Sequence, residues 1–261
     1  MSKSSLLAVR RGAVGVLTIN RPETRNALTP DAAAELSRAI ASFDDDPEIK
    51  AIVLTGAGNA FCAGGDLDFL AQLRQMSQEE IKTQVYRSFQ GVTRALRLCT
   101  KPVIAAVDGP AYGAGCEIAI ACDFRIVSHD AVFCENWIDL GLMPPLGGLF
   151  LLPRLVGLER ANDMVMRASK ITGKRAAEIG LASEAVEPAA LFDTAIKLAN
   201  ELASKSGSAL SAIKQGLRRG LESQIAAEWE YCVNAQAILI GGADFTVKVD
   251  RLLAQVRGRP A

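Results

Sequence analysis

Histidine is nearly absent from this chain of 261 residues, with His129 the only one. A Ser-His-Asp triad would have to use it. Its setting, Val127-Ser128-His129-Asp130, reads as a surface turn after a strand, which disfavours that mechanism. The formal net charge is zero, which argues against nonspecific nucleic-acid binding as the main task. No apolar run approaches a membrane span, because charges or turn residues interrupt each one. The apolar run in MSKSSLLAVRRG is too short for a secretory signal, and no Ser-Lys-Leu ends the chain, so the expected location is cytoplasmic. Six cysteines, at 62, 99, 116, 122, 134 and 232, form no CxxC pair. Most lie in apolar stretches and read as small core residues, with the wrong spacing for a structural zinc site. Neither GxGxxG nor GxxxxGK[ST] occurs, which removes the main support for dinucleotide-binding and P-loop readings.

What is present is a large apolar complement. Hydrophobic residues make up 49%, enough for a substantial core and against wholesale disorder. Val14–Asn20, Ala51–Thr55, Val103–Val107 and Phe124–Val127 are short, β-branched and bounded by turn residues, as strands are. A helix follows the first, with Thr29 as N-cap, Pro30 opening it and Asp31 complementing its dipole. Ala33, Leu36, Ile40 and Phe43 form its apolar face, and Asp44–Pro47 ends it. Strands alternating with helices predict an α/β layered domain with parallel pairing. Beyond about Leu149 the strand signals fade. Ala189–Ala203, Ser223–Ile240 and Ala243–Val256 have the apolar spacing of amphipathic helices. Such a tail packs either across a neighbouring subunit or on its own core.

Two glycine-rich segments follow strands. Gly56-Ala57-Gly58 leads into Phe61-Cys62-Ala63-Gly64-Gly65-Asp66-Leu67, and Val103–Val107 leads through Gly113-Ala114-Gly115 to Glu117. Each segment alone signals only a loop. Together they can offer two backbone N–H groups to one oxygen. Glu117 is the single carboxylate in the apolar segment Ala114–Cys122, where an unpaired charge is costly. It reads either as a proton-transfer group for chemistry on a carbonyl compound or as a structural carboxylate holding loop amides. Burial would raise its pKa and a helix N-terminus would lower it.

The chain resembles the enoyl-CoA hydratase/isomerase family, the crotonase superfamily, over nearly its whole length. The resemblance rests on Arg21-Pro22 with Asn26-Ala27-Leu28, on Phe61–Leu67, on Lys101–Gly109, on Gly113–Glu117 and on Cys122-Asp123. It continues through Leu140-Gly141-Leu142, Pro153–Gly157 and Gly180-Leu181-Ala182. It implies an α/β crotonase-like spiral of ββα turns over residues 1–195. A C-terminal helical region, residues 196–261, would serve trimerisation, giving homotrimers or dimers of trimers. It implies an acyl-CoA thioester as substrate, with coenzyme A as part of that substrate and no separate cofactor or metal. Neither nucleic acid nor membrane is an expected partner. The thioester carbonyl would sit between the N–H of Ala63 and the N–H of Ala114. Arg25, Ala27, Gly64, Gly65, Asp66 and Leu67 would bind coenzyme A, Arg25 at its phosphates and Asp66 and Leu67 through their backbone near the adenine. For Arg25 a solvated loop residue is the other reading. The implied activity is 2-enoyl-CoA hydration by a lyase, with isomerase, hydrolase, decarboxylase or a weakly catalytic acyl-CoA binder as alternatives.

One departure from the family pattern matters. The hydratases use a second glutamate four residues after the Phe133-type position, and Trp137 stands there. The family's simple isomerases often rely on the same acid, so that activity is put in doubt too. Glu135 or Asp139 is the candidate substitute, since residues two apart share a face in an extended segment. Glu135 is favoured, and a structural acid is its other reading. Trp137 and Gly113 are expected to wall the acyl pocket. The aromatic acyl-CoA dehalogenases need an Asp where Pro145 stands, and dienoyl-CoA isomerases want a similar one, so both are disfavoured.

Overall fold

A computed structural model describes residues 4–73 and 75–222. Nine strands occur among them: β1 (Leu6–Arg11), β2 (Val14–Ile19), β3 (Ala51–Gly56), β4 (Val103–Val107), β5 (Pro110–Tyr112), β6 (Phe124–Ser128), β7 (Val132–Cys134), β8 (Ile171–Thr172) and β9 (Glu184–Val186). Six form one sheet in the order β1-β2-β3-β4-β6-β9, parallel throughout except for the β1–β2 hairpin. Strands β5, β7 and β8 form a second, smaller sheet. The central strand β4 is buried along its whole length, as expected for a parallel strand covered on both faces.

The two sheets are traversed in step. From β3 the chain passes to Cys62, which bridges Ala111 of β5, and then into the helix Leu67–Leu73. From β4 it passes to β5 and then into the helix Ala114–Ala121. From β6 it passes to β7 and on through a 3-10 turn, Asn136–Leu140. Each circuit adds one strand to the large sheet, one short pairing to the small one and a helical segment beyond. This is a spiral of ββα turns.

Local sequence explains the main helices. The helix Pro30–Asp45 starts where Thr29 Oγ1 accepts from the Ala32 N–H, and it buries Ala33, Leu36 and Ile40. It packs against the helix Arg87–Leu98. The helix Leu191–Ala203 runs through residue 195 as one piece. It lays Leu191, Ala195 and Ala199 on the apolar side of the large sheet formed by Val16, Val53 and Ile104. Contacts divide the chain into two compact units that part between Ala203 and Ser204. In the second unit the helix Gly207–Glu222 is described. The expected helices Ser223–Ile240 and Ala243–Val256 lie outside the described residues, as does Cys232. No helix among the described residues is long and apolar enough to cross a membrane. The other five cysteines are buried, and burial pushes the Cys62 thiol up to about 12, so it stays inert.

Candidate active site

Both glycine-rich loops end at one place because the second sheet joins them. Cys62 and Ala111 form a parallel bridge, with the Cys62 N–H donating to Pro110 C=O and the Tyr112 N–H to Cys62 C=O. Glycine is needed where the loops touch. A Cβ on Gly115 would fall 2.1 Å from Cys62 C=O, and one on Gly64 would fall 2.9 Å from Tyr112 C=O. Gly113, at φ 50° and ψ −114°, has a conformation only glycine adopts readily, and it turns the chain into the helix Ala114–Ala121.

The expected donor in the first loop needs correction. The Ala63 N–H is already donated to Arg25 C=O at 3.0 Å. Two residues on, Gly65 bridges Leu28 through its neighbours: the Leu28 N–H donates to Gly64 C=O, and the Asp66 N–H to Leu28 C=O. That pattern turns the N–H of Gly65 to the opposite side of the strand, where it has no acceptor among the described residues. The Ala114 N–H, first in its helix, has none either. Gly65 and Ala114 line the same cavity, with the Gly64 Cβ direction 3.8 Å from the Ala114 nitrogen.

That cavity has a volume of about 190 Å³ and an apolar lining that includes Phe69, Leu73, Val85, Phe89, Leu142 and Leu146. The Phe69 and Phe89 rings stack, 6.1 Å between centroids. Trp137 and Gly113 line it, and the indole lies 3.6 Å from where a Gly113 Cβ would be. A groove of about 390 Å³ shares Ala63, Gly65 and Leu67 with this cavity and continues to Arg25, Ala27 and Asp66. An apolar pocket opening across free amides into a groove with an exposed arginine suits a ligand with one apolar and one anionic end. Arg25 is held in the left-handed region at φ 53°, and the buried Asn26 beside it donates to Ala57 and Ala60 C=O. Asp66 departs from its expected backbone role. Its N–H donates to Leu28, its C=O accepts from the Leu70 N–H, and its carboxylate pairs with Arg21 at 3.0 Å while capping the helix Leu67–Leu73.

Glu117 stands directly behind the cavity wall made by Leu146, Trp137 and Tyr86. It is 1% exposed. Its Oε1 accepts from the Leu146 N–H at 2.9 Å and the Gly148 N–H at 2.7 Å, at the start of the helix Gly148–Val156. Its Oε2 has no hydrogen-bond partner among the described residues. One oxygen ties down a glycine loop, and the other is left without a partner among the described residues. Burial pushes its pKa up to about 7, against the two backbone N–H groups and the Trp137 side chain, which favour the charged form. Burial, not the helix terminus, wins. A Cβ on Gly148 would lie 2.8 Å from Oε1, so a side chain there would displace the carboxylate.

Glu135 is not where the alternation argument put it. The chain is extended only through Cys134; Glu135 sits at the junction, φ −91° and ψ 65°, and a 3-10 turn follows. Trp137 and Asp139 line the cavity while Glu135 is fully buried and does not. Burial and then the Glu117 charge push its pKa up to about 8, with the Cys116 thiol and Trp137 opposing. Neither Glu135 oxygen closes a well-formed hydrogen bond. His129 pairs with Glu187 at 2.9 Å and lines neither cavity. Among the described residues no cluster of His, Cys, Asp and Glu could hold a metal.

Sequence reading missed three contributors. Leu146 and Gly148 anchor Glu117 through their N–H groups, and the Gly147-Gly148 pair after two prolines was the available signal. Tyr86, in a π-helical turn Ile81–Tyr86, lines the cavity, and burial and the charge of Glu117 raise its pKa. A π turn in this position is a recurrent mark of functional sites.

Comparison with known proteins points to one family. The family described as enoyl-CoA hydratase/isomerase matches residues 10–241. A short-chain-enoyl-CoA hydratase of Clostridium acetobutylicum is 38% identical over 86% of this chain and 85% of its own length. A crotonyl-CoA hydratase of Syntrophomonas wolfei is 35% identical over 86% and 85%. The crystal structure of an enoyl-CoA hydratase from Polaromonas sp. JS666 superposes with a TM-score of 0.92 at 28% identity, covering 97% of this chain and 98% of that one.

Proposed function

Because the chain belongs to the enoyl-CoA hydratase/isomerase family, we infer that it is an acyl-CoA-processing enzyme, an enoyl-CoA hydratase that adds water across the double bond of a 2-enoyl-CoA thioester. The observation that carries this reading is the pair of acceptor-free N–H groups, on Gly65 and Ala114, beside the free Oε2 of Glu117. In that arrangement the thioester oxygen accepts from both N–H groups. The acyl chain lies against Trp137 and the stacked Phe69 and Phe89, and the coenzyme A moiety follows the groove toward Arg25.

Glu117, ionised, takes a proton from water as the water oxygen bonds to the β-carbon. The double-bond electrons move onto the thioester oxygen, and the resulting enolate is held by the two fixed N–H dipoles, each worth roughly 3–4 kcal/mol in such sites. The same carboxyl then returns the proton to the α-carbon, so one acid–base group serves both steps. A carboxyl with a pKa near neutrality suits a group that must take and return a proton. The exposed apolar residues Ile138, Leu140, Leu142 and Met143 beside the cavity support the homotrimer or dimer of trimers.

Crotonyl-CoA tests the reading. Loss of the conjugated thioester absorbance with wild-type protein, and not with Glu117→Gln, is the expected result. A second reading, isomerisation, is favoured by the free Oε2 of Glu117, since one carboxyl oxygen suffices to move one proton between two carbons. It predicts that a 3-enoyl-CoA gains conjugated absorbance. Release of free thiol or of carbon dioxide would point instead to hydrolysis or decarboxylation, and coenzyme A binding without turnover to a binding role.

A further inference from the structure

Glu135 is a buried carboxyl group for which the proposed reaction has no task. It and Glu117 are both shielded from water, and three of their four oxygens have no hydrogen-bond partner. Among the described residues, the groups that act on the pair carry no positive charge. The helix Ala114–Ala121 presents Cys116 and Glu117 itself, and the turn after β7 presents Trp137. The charge of Glu117 also acts on Tyr86 in its π-helical turn. Asp139 and Lys170 act on Cys134, while Asp163 and Arg167, on the helix that packs against the 136–140 turn, pair with each other. Two carboxylates without a cation in a low-dielectric site do not both ionise near neutral pH. The backbone decides which one does: Glu117 accepts two N–H bonds at the start of a helix, and Glu135 accepts none.

Resting on the reading of Glu117 as the proton-transfer group, we propose that Glu135 is a positioning residue that holds the site at a single negative charge: at rest the pair carries one proton, on Glu135, and Glu117 carries the charge. Ionising Glu135 adds a second charge behind a cavity in which the thioester oxygen must itself become anionic, and it strengthens the hold of Glu117 on its proton. Turnover therefore falls on the alkaline side as Glu135 loses its proton. The rise of both groups under burial, with Glu135 the higher, has the same direction.

Glutamate labelled with carbon-13 at the side-chain carboxyl, observed by NMR in the full chain, tests this with and without activity. One carboxyl is expected to titrate on the alkaline side of neutrality, to vanish in Glu135→Gln, and to move to lower pH in Glu117→Gln, where the neighbouring charge is gone. In turnover, Glu135→Gln keeps the neutral-pH kcat within a few-fold and loses the alkaline fall, whereas Glu135→Asp keeps it. An alkaline fall that persists in Glu135→Gln overturns the proposal, as does a Glu135 signal that titrates with the surface carboxylates. Absence of turnover in wild type would sink the hydratase reading alone, since the NMR titration still decides where the proton resides.

Discussion

The two glycine-rich loops reach the cavity by the same route, strand to bridge to helix, yet they present their N–H groups for different reasons. In the second loop the donor is the first residue of a helix, Ala114, whose N–H lacks an intrahelical acceptor by construction. In the first loop the donor is chosen by a strand bridge. Ala63 turns its N–H to Arg25, and Gly65 turns its own away from Leu28 and toward the cavity. A helix start can be located from local sequence. A bridge between residues 28 and 65 depends on chain segments that meet only after folding.

The largest effect belongs to the group both loops serve. Glu117→Gln removes the proposed acid–base group, whose Oε2 has no hydrogen-bond partner among the described residues, and should lower kcat by about 10²–10⁴, leaving coenzyme A binding intact. Next come single-atom changes that set the loops against each other. Replacing the amide of Gly65 by an ester removes its N–H and should cost about 10²–10³ in kcat. The same replacement at Ala63 removes a structural hydrogen bond, which should cost about 1 kcal/mol of stability with kcat nearly unchanged. Equal kcat losses at both would erase the distinction. Gly148→Ala pushes a Cβ against Glu117 Oε1 and should lower kcat by roughly 10–100-fold through misplacement of the carboxylate.

Thermal unfolding across pH gives a smaller effect. In the unfolded chain Glu117 and Glu135 ionise near their ordinary 4.5, but in the folded protein near about 7 and about 8. Between those values the folded state holds more protons, so stability falls as pH rises from about 4.5 to about 8 and levels off above, by on the order of a few kcal/mol. Glu135→Gln should flatten the upper part of that slope. The smallest change is Arg25→Ala, which removes an exposed charge from the groove and should raise KM severalfold with kcat unaltered.

Much of the fold was legible because its signals are local. Thr29-Pro30-Asp31 marks a helix start by capping chemistry, and the apolar strands β3 and β4 announce burial by composition. Glu117 stood out as the one carboxylate in an apolar segment. The misread features depend on contacts between distant segments. Alternation placed Glu135 with Trp137, but the strand gives way to a 3-10 turn after Cys134, so Trp137 lines the cavity and Glu135 is buried behind it. Asp66 looked like a ligand contact, yet its N–H, C=O and carboxylate are all engaged by Leu28, Leu70 and Arg21. The anchoring of Glu117 by Leu146 and Gly148 joins segments some thirty residues apart.

The most direct measurement is the infrared carbonyl stretch of an unreactive acyl-CoA bound to the protein. Two N–H donors at Gly65 and Ala114 predict a thioester carbonyl shifted to lower frequency than in water. The shift should be reduced by the ester at Gly65 and retained with the ester at Ala63. A bound carbonyl that vibrates as it does in water, or a shift lost with the Ala63 ester instead, would contradict the account.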